Sequence, residues 1–187
     1  MPGKKVTNRL DGIRDHYAEV GVESYYLENG NSYQNPHFPQ VRQLLINNQS
    51  RIDYSYTLDF CCGSGEVSLV LQELGYPLPT ASDPFTSGAY RKNFNRDCLE
   101  LSFADIIRGK LIDQFSAIIC SFAMHLCPPK QLYPLTYQLF QCTSTLIIIT
   151  PHKRPMLEEL SGVVLRFEDF VLTERGKKVR LKGYERL

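Results

Sequence analysis

The stretch LDFCCGSGE, Leu58 to Glu66, carries two carboxylates, two adjacent thiols and two glycines. Such a set could cradle a phosphate, grip a metal or hold some other polar ligand. A phosphate-binding P-loop requires Gly-Lys-Ser/Thr after four intervening residues, and none is present. A dinucleotide loop requires G-x-G-x-x-G; aligned on Gly63, the outer positions are Cys61 and Glu66. Glu66 then sets a carboxylate at a helix N-terminus, where a pyrophosphate needs positive potential. Zinc fits poorly, because Cys61 and Cys62 point to opposite faces of a strand and no C-x-x-C partner exists. No metal site is expected. A ligand with ammonium, carboxylate and ribose but no phosphate suits the loop better.

For these side chains to converge, a strand must end at the loop and a helix must leave it. TLDFCC is an apolar run that stops at the small residues, and EVSLVLQELGY starts at once with helical spacing. The same alternation continues. LPTASD, CLELSFAD, FSAIICSF and STLIIIT read as further strands, with GAYRKNFNRD and PKQLYPLTYQLFQCT as helices and the short IIRGKLIDQ as an abbreviated crossover. This rhythm predicts a mostly parallel α/β sheet with helices on both faces. GVVLRFEDFVLTERGKKVRLKGYERL reads as an antiparallel hairpin about a Gly-Lys turn, closing a seven-stranded sheet. Residues 1–55 form a Tyr-rich helical extension, and residues 56–187 the core. Within the extension Asn35 reads as an N-cap and Pro36 as the first helical residue, followed by Val41, Leu44 and Leu45 at helical spacing.

LDFCCGSGE resembles the D-x-G-x-G-x-G loop of class I S-adenosylmethionine-dependent methyltransferases, with Asp59 at the acidic position and Gly63 and Gly65 at the last two glycines. The resemblance implies a Rossmann-like methyltransferase sheet, S-adenosyl-L-methionine as cofactor, and glycines that let the backbone approach its methionine half. The first glycine is replaced by Cys61, which narrows the loop. Asp83 in TASDPF, eighteen positions after Gly65, is the acid implied for the two ribose hydroxyls; by itself it also reads as a turn-starting Asp before Pro84. In SFADII, Asp105 and Phe103 are implied at the adenine, with Ile106 as a second candidate; Asp105 also reads as a helix cap. Ser121, at the end of the fourth strand, completes the implied cofactor set.

Beyond that strand the sequence offers Ser121, Phe122, Met124 and His125 where enzymes that methylate exocyclic amines carry Asn/Asp-Pro-Pro-Tyr/Phe. The acceptor is therefore expected not to be an exocyclic amine, and a small molecule is favoured. His125 is the leading general base and equally a structural loop histidine. His37 is second. Tyr25, Tyr26, Tyr33 and His37 cluster in the extension, as acceptor-pocket residues, with Tyr33 in the catalytic set, or as packed aromatic faces. His152, Lys153 and Arg154 stand on the same rim, facing an anionic acceptor or solvent.

Composition bounds the rest. A chain of 187 residues with formal net charge +1 is one globular domain without strong global steering towards nucleic acid. The basic hairpin TERGKKVRLKGYER could touch RNA phosphates, or simply protect a sheet edge. An RNA-modifying enzyme and a non-catalytic scaffold of the same fold are the alternatives to a small-molecule methyltransferase. No apolar run is long enough to cross a bilayer, and the N-terminus lacks a secretory apolar segment. Six cysteines without a disulfide pattern fit a reducing cytoplasmic compartment, with the nucleus left open.

Overall fold

Short apolar runs buried on both sides become the centre of the sheet. In the computed structural model, which describes residues 35–187, they are β1 (Thr57–Phe60), β2 (Thr80–Ser82), β3 (Ala117–Ser121) and β4 (Thr145–Thr150). The C-terminal strands are β5 (Val163–Leu172) and β6 (Lys178–Arg186). The order is β2-β1-β3-β4-β6-β5; the first four strands run parallel, and β6 is antiparallel to both β4 and β5.

Helices cover both faces. Helix α1 (Phe38–Asn47) buries Val41, Leu44 and Leu45, and α2 (Glu66–Glu73) buries Val67, Val70 and Leu71. Both sets have the i, i+3, i+4 spacing of one helical stripe. They share a core with Ile119, Ile147, Ile149 and Leu181. On the opposite face, α4 (Phe103–Ile107) and α5 (Pro129–Cys142) pack Ile106, Leu135 and Leu139 against Ile118, Cys120 and Ile148. Neighbouring residues of β3 thus enter opposite cores, as strand pleating dictates. Helix α3 (Ser87–Phe94) follows β2. No helix among the described residues is long and apolar enough to cross a membrane.

Three expectations require correction. Among the described residues the sheet has six strands, where seven were expected. The segment CLELSFAD contributes only a parallel bridge, Ser82 to Leu99, before Ser102 caps α4 through a reciprocal capping box with Asp105. Ser102-x-x-Asp105 satisfies helix-end donors locally, and that ends strand pairing. Helix α1 starts at Phe38, because the Asn35 side chain instead accepts the His37 N–H (2.9 Å) in a turn. Tyr33 and the rest of the extension before Asn35 lie outside the described residues.

The connection after β4 is anchored from beneath. Buried Lys182 reaches the Lys153 carbonyl (3.4 Å) and Glu158 (3.5 Å), and Glu158 also accepts the Tyr184 hydroxyl proton (2.8 Å). This fastens the rim segment bearing His152 to the inner hairpin strand.

Candidate ligand-binding cavity

A cavity of about 580 Å³ opens beyond the carboxyl ends of β1, β2 and β3. Open α/β sheets bind ligands at this position, where strand order reverses between β1 and β3. Its floor is the β1–α2 loop. Cys61 enters it with φ +56° and Gly63 with φ +60°, and both line the cavity. The Gly65 N–H closes the turn on the Cys62 carbonyl (2.8 Å).

Gly65 itself does not line the cavity. Its φ is +97°, and a Cβ there would collide with the Phe94 ring, which stacks on Tyr90. This glycine lets α3 approach the loop rather than a ligand.

Asp83 forms the adjoining wall. One carboxylate oxygen accepts the N–H groups of Phe85 (2.8 Å) and Thr86 (2.9 Å), and the other accepts the Gly63 N–H (3.3 Å). The same residue starts the turn and fixes the glycine loop, so the two roles expected of it are compatible. A carboxylate offers about four lone-pair sites, which leaves capacity for a ligand hydroxyl.

Asp59 lies beneath the loop, buried, with one oxygen bound to the Ser68 N–H (3.1 Å) and hydroxyl (2.8 Å). Its other oxygen has no partner among the described residues. Burial pushes its carboxyl up to about 8 against the Ser68 hydrogen bonds, assisted by the nearby carboxylates Glu66 and Asp83. Glu66 is on the cavity wall; its Oε1 accepts the Asn35 N–H (2.9 Å) and the Ser64 hydroxyl proton (2.7 Å).

The opposite wall combines Leu101, Phe103 and Leu126 with Ser121 and Phe122. Asp105 is not part of it. Its carboxylate completes the α4 capping box and pairs with Lys110 (2.6 Å), which together hold it well below the usual carboxylate range. His37 and His125 also stand outside the lining. His37 stacks on Phe122 (centroids 5.0 Å apart), and burial lowers its pKa. His125 meets His152, with ring centroids 4.6 Å apart.

Sequence reasoning missed Asn35, Glu66, Thr86 and Gln131 as lining residues. Glu66 was legible as the acid opening a helix beside a glycine loop, and Thr86 as the third residue of an Asp-initiated turn. Asn35 and Gln131 carried no such signal.

The wall chemistry suits a cation. Glu66 and Asp83 line the cavity, and no Lys, Arg or His among the described residues does. Thr86 and Ser121 also line it, though their hydroxyl oxygens are buried away from the opening and find no partner among the described residues. Apolar and aromatic side chains supply a flat, dry end.

Cys61 departs from an all-glycine loop at a φ that costs an L-residue roughly 1–2 kcal/mol. Its thiol pKa is raised by a hydrogen bond with Cys120 and by burial, which makes it a poor nucleophile. Cys61→Gly should relieve the strain at an unfolded-state entropy cost of about 0.5–1 kcal/mol. The expected result is a melting temperature that does not fall and a ligand affinity equal or tighter. A clear drop in melting temperature would show that the contact with Cys120 outweighs the strain.

No family model matches the chain. An uncharacterized protein of Schizosaccharomyces pombe, C17A5.05c, is 33% identical over 202 aligned positions, covering 84% of this chain and 81% of the relative. Among solved structures, magnesium protoporphyrin IX methyltransferase (ChlM) from Synechocystis with bound S-adenosylmethionine superimposes with TM-score 0.61 at 14% identity, covering 99% of this chain and 100% of that one. The N-methyltransferase NodS from Bradyrhizobium japonicum, in complex with S-adenosylhomocysteine, gives TM-score 0.63 at 12% identity, covering 87% of this chain and 96% of that one.

Proposed function

Because the chain belongs to the family of the fission-yeast protein and shares the fold of S-adenosylmethionine-dependent methyltransferases, we propose that it is a class I member of that superfamily, that the cavity binds S-adenosylmethionine and that the protein transfers its methyl group to a small acceptor. The observation that carries this reading is the cavity at the carboxyl ends of β1, β2 and β3, lined by Glu66 and Asp83 and, among the described residues, by no cationic side chain. The cofactor is a sulfonium with an ammonium, a ribose diol and a flat base, and it supplies an electrophilic methyl group.

Asp83 is suited to the ribose hydroxyls, and Leu101 and Phe103 to the base. The backbone at Cys61 and Gly63, with Glu66 close by and Asp59 beneath, is suited to the amino-acid end. The protein's share of the reaction is to hold acceptor and methyl in line and to exclude water, which can supply several kcal/mol without a covalent step. His37, stacked on Phe122, and His125, beside His152, are not among the lining residues, which supports a reaction that relies on positioning over one that uses a histidine base. Of the hairpin cations, Arg166, Arg180 and Lys182 are paired with Glu185, Glu168 and Glu158, and Lys178 and Arg186 lie over the Phe170 and Tyr137 rings, which leaves fewer of them for RNA phosphates and favours a small acceptor.

Titration calorimetry with S-adenosylhomocysteine tests the reading. Binding in the micromolar range, about −8 kcal/mol, is expected. A folded sample that does not bind at millimolar concentration would make the protein a non-catalytic scaffold of this fold.

A further inference from the structure

Three described residues other than glycine hold φ in the left-handed region: Cys61, Asn95 and Phe122. Asn95 caps the end of α3, an ordinary place for that conformation in asparagine. The other two follow the neighbouring strands β1 and β3, and both line the cavity. For a bulky aromatic such as Phe122, φ +58° is a genuine outlier, and it persists only where the surroundings impose it.

Those surroundings are specific. The Phe122 N–H donates to the Ile149 carbonyl (2.8 Å), which fixes the backbone. The ring lies nearly parallel to the His37 imidazole, at 13° with centroids 5.0 Å apart. His37 is itself held by the Asn35 side chain through its N–H (2.9 Å). Burial lowers the His37 pKa, which favours its neutral ring. Phe122 is thus a residue of the cavity wall whose ring is backed by His37. Asn35 and Ser121 line the same cavity.

We propose that Phe122 is the specificity-determining residue for the acceptor, and that the acceptor is a flat conjugated ring stacked on it, with Asn35 meeting the ring's polar substituent. This rests on the reading of the cavity as a methyl-donor site. Aromatic pairs favour offset stacking, and the His37 ring shows Phe122 already engaged in such a pair on one side. In the transfer, a lone pair on the acceptor heteroatom forms the new bond to the methyl carbon. The carbon–sulfur bond breaks with its electron pair left on sulfur, and the acceptor's proton passes to solvent. A ring of this kind can come from a free small molecule or from a base in single-stranded RNA.

The test uses the full chain. Wild type, Phe122→Leu and Phe122→Tyr are first titrated with S-adenosylhomocysteine. They are then assayed for tritium transfer from methyl-labelled S-adenosylmethionine to guanosine, catechol, ethanolamine, glycine and a short single-stranded RNA. The expected result is label on a flat acceptor, free or within RNA. Phe122→Leu should raise the KM for it at least tenfold, with kcat and S-adenosylhomocysteine affinity nearly unchanged, and Phe122→Tyr should restore the KM. Label on RNA but not on guanosine or catechol would assign the ring to a nucleobase; the reverse would assign it to a small molecule. Label only on ethanolamine or glycine, or on none of the five from protein that binds S-adenosylhomocysteine, overturns the proposal. So does loss of S-adenosylhomocysteine affinity in Phe122→Leu with KM unchanged, which would place the ring against the cofactor. Wild-type protein that fails the first titration fails the methyl-donor reading itself, before any acceptor is added. Should Phe122→Leu melt early, Phe122→Tyr alone decides, since it keeps the ring and must keep the KM.

Discussion

Asp83→Asn should bind S-adenosylhomocysteine at least about a hundredfold more weakly than wild type. Two ribose hydroxyls would lose a charged acceptor, and hydrogen bonds to charged groups are worth about 1.5–3 kcal/mol each. The sum, about 3–6 kcal/mol, corresponds to roughly 10²–10⁴ in affinity. Asparagine keeps one oxygen for the Phe85 and Thr86 N–H groups but can set an amide nitrogen against the Gly63 N–H, which now donates to Asp83 at 3.3 Å. The loop is therefore disturbed together with the ligand contact, and a melting curve separates the two effects. Asp105→Ala is the matched control. Its carboxylate serves the α4 cap and Lys110, so cofactor affinity should stay within about twofold. If the control loses the cofactor and Asp83→Asn does not, the ribose assignment is wrong.

Asp59→Asn should stabilise the ligand-free protein at pH 8 relative to wild type, and much less at pH 5. In wild type the carboxyl is raised from 3.8 to about 8, chiefly by burial. The unfolded chain loses this proton near its ordinary value, whereas the native protein keeps it until about pH 8. Across that window the native state binds one more proton, so stability falls as pH rises, by up to about 1.4 kcal/mol per pH unit. Asparagine has no proton to lose and can still accept from Ser68, so the variant's advantage should grow through the window. Urea midpoints at the two pH values measure it, and parallel pH profiles would show that Asp59 titrates normally. The variant should also lose cofactor affinity, because a cation above the loop favours the charged carboxylate. In wild type the same coupling should release up to about one proton on binding near pH 7, read from the dependence of calorimetric enthalpy on buffer ionisation. Stability would thus be traded for function at one buried residue.

The strand, loop and helix around Asp59 were legible because an apolar run, a small-residue loop and an amphipathic stripe follow one another without a break. Asp83 was legible through its distance from Gly65 and through Pro84. The segment before Asp105 was misread because Leu101 and Phe103 alternate like a strand, while Ser102 and Asp105 sit at capping-box spacing; the local hydrogen bonds prevailed. Gly65 carried the right residue type for a ligand contact, but its neighbour is the Phe94 ring, brought in by tertiary packing. The left-handed backbone at Cys61 was hinted at only by its place at the first glycine of the loop, and that at Phe122 had no signal, since a bulky aromatic rarely adopts such a φ. Residue type alone could not show that His37 would stack on Phe122 or that His125 would meet His152.

The order of the last strands dictates an order of assembly. Strand β5 precedes β6 in the chain yet, among the described residues, pairs only with β6, while β6 takes the place beside β4. A newly made β5 thus has no seat on the sheet. It can join only by zipping with β6 through the turn closed between Thr173 and Lys177, a local event on the scale of microseconds. The finished hairpin must then dock on β4 as one body, closing a longer loop at greater entropic cost. Until it docks, β4 is an open edge, with Ile147, Ile148 and Ile149 lacking the strand that covers them in the native sheet. The interval between zipping and docking is when this chain is most exposed to joining the wrong strand.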